Sequence, residues 1–177
     1  MGHYANFFIA SAGASAAILG LLVVAVSVVN ADDGNPATRE RRTVLAGTAF
    51  IALSDIFIVS IVPLTGGAAA FGLSSVIMAI IGLLTSRRLI ARAHRAGNFS
   101  LQFETGRLNI AFASISVGGY SVQLALAAAL LADVGSAGLQ HALVLVIVTL
   151  YASALGRTWE VTGITKRESA DSPTAPG

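Results

Sequence analysis

The chain has 177 residues, 55% of them hydrophobic and only 11% charged, against about 25% charged in soluble domains. That excludes a soluble globular fold, and five membrane helices of about 20 residues each would leave no length for a separate enzyme module. The formal charge is +2 and cysteine is absent, which excludes disulfides, thiolate metal centres and cysteine nucleophiles. No aromatic-basic motif of a nucleic-acid binder accompanies the basic residues, so no nucleic-acid partner is expected.

Five apolar stretches follow one another. The first spans about Ala5 to Val29. Tyr4, Phe7 and Phe8 suit an outer membrane interface. Small residues dominate its first half, and Gly13, Ala17 and Gly20 provide a candidate face for close helix packing. No cleavable signal peptide is expected, because no Lys or Arg precedes a run that is too long for one. Asn6 rules out a myristoylation signal. The connection from Asn30 to Arg42 contains Asp32, Asp33, Gly34, Asn35 and Pro36. It reads as a solvated turn with Asn35 capping a helix that begins at Pro36. A calcium loop would need a ligand spacing that is absent.

The second span is about Thr43 to Leu64. Pro63, Thr65, Gly66 and Gly67 end it in a tight hairpin. The third covers about Ala68 to Ser86 and continues as a cytoplasmic helix to Ala96, with Gly97 as its stop. Arg88, Arg92 and Arg95 share a face there and, with Arg157, form a candidate surface for lipid headgroups or a protein partner. Phe99, Leu101 and Phe103 alternate in the following link. The fourth span is about Leu108 to Ala132. The turn Asp133 to Ser136 leads to the fifth, about Ala137 to Gly156, with Arg157 and Trp159 as interfacial anchors. Residues 1–165 thus form the membrane domain, and residues 166–177 are expected to be a disordered cytoplasmic tail.

All 11 Lys and Arg residues fall in the first connection, the third connection or the tail. The N-terminus and the other two connections have none. That alternation predicts an all-α, five-span helical bundle with the N-terminus outside and the C-terminus in the cytoplasm. The scarcity of Lys and abundance of Arg and Ala are typical of GC-rich bacterial genomes, which points to a bacterial inner membrane.

Asp55 is the one acidic residue inside a span. It lies about 13–14 Å below the outer end of its helix, close to the middle of a hydrocarbon core about 30 Å thick. An intramembrane carboxyl is costly and by default functional. Ser74, Ser75 and Gln123 fall at about the same depth, Ser15 is close, and Tyr120, Ser121 and Thr149 lie within about one turn. The competing interpretation is structural: serines bond their own backbone, and Asp and Gln act as interhelical glue worth about 1 kcal/mol or less. His141 is the one histidine within a span, so bis-histidine haem is excluded. Lys166 sits in the tail, which excludes a retinal Schiff base. HExxH and Walker motifs are absent. His141 and Ser60 both lie toward the outer side, a weak basis for a hydrolase pair. No catalytic residue, cofactor or metal site is expected.

The segments from Phe7 to Ala17 and from Gly20 to Ser27, with Tyr151 to Ala152 and Arg157 to Gly163 near the other end, resemble small, mostly actinobacterial, multi-pass membrane proteins. Some members of that group are designated modulators of a membrane-bound protease. The group has no established activity, and the resemblance gives no residue a role. The expected function, from the basic inner surface, is a non-enzymatic membrane scaffold or regulator. It would be homo-oligomeric through small-residue faces, in contact with anionic phospholipids, and bound to a membrane-protein partner. The alternative is a small ion or proton channel or transporter that uses the polar layer around Asp55.

Overall fold

In the computed structural model the described residues are 4–29, 36–95 and 104–170. They form four helices: α1 (Ala5–Val29), α2 (Pro36–Arg95), α3 (Glu104–Ala132) and α4 (Ala137–Ala170). All four contain a stretch long and apolar enough to cross a membrane.

α2 contains both the second and the third expected spans. A straight helix of its 60 residues would be about 90 Å long, three times the hydrocarbon thickness. It does not run straight. Gly67 has φ 68° and ψ −154°, a backbone region open essentially to glycine alone. Gly66 beside it must also lack a side chain, because a Cβ there would collide with the Ala70 methyl. The two arms meet at this break and lie side by side: Asp55 on the first and Ser75 on the second both bond the side chain of Gln123. Pro63, expected at the end of a span, is inside the first arm, one turn before the break.

α3 and α4 are joined by the turn at residues 133–136, closed by the Ser136 amide donating to the Asp133 carbonyl at 3.1 Å. Ser136 then caps α4, its hydroxyl accepting from the Leu139 amide at 3.4 Å. α4 continues to Ala170, so helix covers the first residues of a segment expected to be disordered. The rest of that segment lies outside the described residues. So do the turn at Asp32 and Asp33, the Gly97 stop, and Phe99, Leu101 and Phe103.

Two apolar clusters hold the bundle together. One joins Phe8, Ile56, Val59, Phe71, Met78, Ala127, Leu130, Leu143, Val144 and Ile147. It occupies the end where α1 and α4 begin and α2 turns, and Phe8 packs on Phe71 with centroids 5.2 Å apart. The other, Leu22, Leu45, Ala46, Ala49, Ala52, Leu53 and Ala154, lies toward the opposite end, between α1, the first arm of α2 and α4.

Close backbone approaches occur inside this bundle. A Cβ on Gly82 would come within 2.5 Å of the Tyr120 ring, one on Gly119 within 2.7 Å of Leu150, and one on Gly72 within 2.9 Å of Leu131. The small-residue face of α1 is different. Gly13, Ala17 and Gly20 are exposed, and a Cβ on either glycine would meet nothing within 4 Å. The face α1 buries carries Phe8, Ala12, Ser15 and Leu22. Within one chain, then, the expected packing face of α1 is not used: residues spaced by three, four and seven, two bulky and two small, are buried instead.

Candidate functional site

On α3, residues 116, 120, 123, 127 and 130 are all buried. Their spacing of 4-3-4-3 keeps them on one stripe facing the other helices. The stripe changes character along its length. Ala127 and Leu130 belong to the apolar cluster near the α2 turn, whereas Ser116, Tyr120 and Gln123 form a polar column toward the other end. By helical rise the column is about 10 Å long.

At its inner end Gln123 is fully buried, and its Nε2 donates to Asp55 Oδ1 at 3.0 Å and to the Ser75 carbonyl at 3.4 Å. Both partners are acceptors, so the amide must present its NH2 to them, which settles its orientation. The bond to a carbonyl and a carboxyl on opposite arms of α2 also ties the arms together at this level. Asp55 is itself 0% exposed. Its Oδ2 has no hydrogen-bond partner among the described residues, and the same holds for Gln123 Oε1, Ser75 Oγ and the Tyr120 hydroxyl. An unmade bond in a buried polar group costs about 1–3 kcal/mol. Besides Oδ2 itself, three such atoms belong to Gln123, its bonding partner Ser75 and its stripe neighbour Tyr120.

Toward the basic end the column meets Arg157, which is 2% exposed. Its Nη2 donates to Ser116 Oγ at 2.6 Å and to Ser153 Oγ at 2.7 Å. Tyr120 lies between Ser116 and Gln123 on the same buried stripe of α3, and its hydroxyl makes no hydrogen bond with a described residue. The site is thus a line of oxygen and nitrogen groups from a mid-bundle carboxyl to a buried guanidinium at the basic end. Ser60 is also buried on the first arm of α2, about 7–8 Å nearer the turn than Asp55, and its hydroxyl has no partner among the described residues.

The expected site residues divide. Asp55, Ser75 and Gln123 come together, and Tyr120 joins them. Ser74 and Ser15 are buried but bond their own helices, to the carbonyls of Phe71 at 3.1 Å and Ser11 at 2.7 Å. Ser121 and Thr149 are exposed and do the same. Arg157 needs correction: it is no headgroup-facing anchor but part of the interior, because residues 143, 147, 150, 154 and 157 form one buried stripe of α4. The same 4-3-4-3 spacing read in the sequence would have placed Arg157 and its partner Ser116 inside. Arg88 is exposed, as expected of a surface group. The side chains of Arg92, Arg95 and Glu160 lie outside the described residues. His141 shares a 3.0 Å hydrogen bond with the Tyr4 hydroxyl and makes none with Ser60, so the hydrolase pair is not assembled. Among the described residues no cluster of three metal-ligating side chains occurs.

No protein-family model, curated protein or solved structure matches the chain.

Proposed function

We propose that the chain is a five-span protein of a bacterial inner membrane, N-terminus outside, whose Asp55 cluster binds a proton or a small monovalent cation and passes it along the polar column. The observation that carries this reading is the arrangement at Asp55. Gln123 holds Oδ1, while Asp55 Oδ2, Gln123 Oε1, Ser75 Oγ and the Tyr120 hydroxyl are buried with no hydrogen-bond partner among the described residues. Oxygen donors around a carboxyl suit a proton or a hard cation. The five crossings rest on the doubled α2 and on basic residues that gather at the ends of α2, the start of α3 and the end of α4.

The apolar cluster around Phe71 and Leu130 blocks a continuous polar route past Ser60. A carrier or gated relay open to the basic end therefore fits better than an open pore. The test is flux into proteoliposomes under a proton or sodium gradient. Asp55→Asn keeps the shape and an acceptor for Gln123 and should reduce flux at least tenfold, with the melting temperature little changed. Wild-type liposomes no faster than empty ones, or an Asp55→Asn protein at the wild-type rate, would eliminate the reading.

A second reading is a non-enzymatic scaffold or regulator that binds a membrane partner or another copy of itself. The exposed face of Gly13, Ala17 and Gly20 favours it. Small residues let helices approach closely in lipid, where apolar surface alone provides no driving force. Gly72 and Gly119 are occupied within the chain, whereas the α1 face is open for such a contact. In-membrane crosslinking should give oligomers that Ala17→Leu abolishes, and monomers alone would remove self-association through this face.

A further inference from the structure

Between the second arm of α2 and α3, toward the basic end, the surface is hollowed into a groove. It holds about 480 Å3 and is lined by Ile80, Leu83, Leu84 and Arg87 of α2 and by Val117 and Ser121 of α3. The four α2 residues are spaced by three and four and form one face, and Val117 and Ser121 are one turn apart on the facing helix. Ser121 gives its hydroxyl to the Val117 carbonyl at 2.7 Å. The walls are therefore apolar to whatever enters, apart from one group. That group is the guanidinium of Arg87, which is exposed and makes no ion pair or hydrogen bond with any described residue.

From Ile80 to Arg87 the groove runs about 10 Å along the helix, some two thirds of the roughly 15 Å depth of one leaflet's hydrocarbon. An apolar trough of that length ending in a single cation complements a molecule with a long apolar tail ending in an anion. We propose that this groove binds one anionic phospholipid, an acyl chain lying between α2 and α3 and the phosphate paired with Arg87. A guanidinium can grip phosphate oxygens in bidentate fashion, which a lone ammonium cannot. Arg88 is the internal control: it is exposed too, but one residue further round the helix, about 100° away, it does not line the groove. The site is independent of the Asp55 cluster and of which leaflet the basic end faces.

Native mass spectrometry of the full-length protein, released from vesicles of equal phosphatidylglycerol and phosphatidylcholine, tests the assignment. Wild type should retain phosphatidylglycerol in preference. Arg87→Gln should lower that preference about fivefold, and Arg88→Gln should leave it unchanged. Val117→Trp, which fills the trough and spares Arg87, should reduce retention of both lipids, with circular dichroism and thermal melting confirming that the variant is folded. Soluble glycerophosphate, with a phosphate and no tail, should not compete. Equal losses from Arg87→Gln and Arg88→Gln would point to general attraction at the basic end and overturn the proposal. So would displacement by glycerophosphate, or wild type showing no preference.

Discussion

Among individual side chains, Tyr120 is the most constrained. Its ring packs against Gly82 so closely that an added methyl cannot fit, and its hydroxyl is buried with no hydrogen-bond partner among the described residues. Gly82→Ala should force the ring out of the column, at a cost of about 1–3 kcal/mol, and lower flux together with stability. Gly20→Ala, at an equally small residue with open space around it, should be neutral in the monomer. Comparing the two by thermal melting in detergent separates packing glycines from merely exposed ones. Ser116→Ala removes one acceptor from the buried Arg157 guanidinium and should cost about 1 kcal/mol, read from the same melts. Part of this site was legible beforehand. Depth counting found Asp55, Ser75, Gln123 and Tyr120, because helical rise alone ranks residues by height. Depth counting does not reach Ser116, Ser153 or the burial of Arg157, because charge marks an Arg at a helix end as a surface group whereas its place on the α4 stripe buries it.

At the level of helices, rotation was hard to read and position was not. Apolar length announces a helix such as α1, and the Gly66-Gly67 pair announces the reversal in α2. Rotation normally follows from an apolar face opposed to a polar one. α1 has no such contrast: Ile9, Leu21, Val23 and Val24 are exposed while Phe8 and Leu22 are buried. Small residues are then the one marker of packing the sequence offers, and in α1 they lie on the unpacked side. In α3 and α4 the marker is the 4-3-4-3 recurrence of buried residues, which includes polar ones and so escapes a search for apolar periodicity. The reversal itself offers a clear test. Gly67→Ala places a side chain in a backbone region that disfavours it and should cost about 1–3 kcal/mol. Ala69→Gly, at an exposed helical site two residues away, should cost about 1 kcal/mol or less. Unfolding in mixed micelles measures both, and equal losses would show that the turn does not depend on the Gly67 conformation.

For the whole molecule, the two ends of the bundle differ in kind. One gathers Tyr4, Phe7, Phe8, Phe71 and His141 around the α2 turn; the other takes all the basic residues. Polar groups run from the basic end to Asp55 and then give way to an apolar layer. This asymmetry is what a site loaded from one side needs, and it depends on how the chain is threaded through the bilayer. The chain contains no cysteine, so single cysteines can be introduced without any other change. The direct measurement is labelling of Gly2→Cys, Val134→Cys and Ser172→Cys variants with a membrane-impermeant maleimide in intact and in permeabilised cells. Positions 2 and 134 should react from outside, and position 172 only after permeabilisation. Reaction of positions 2 and 172 from the same side would contradict an odd number of crossings, and with it the one-sided access to Asp55.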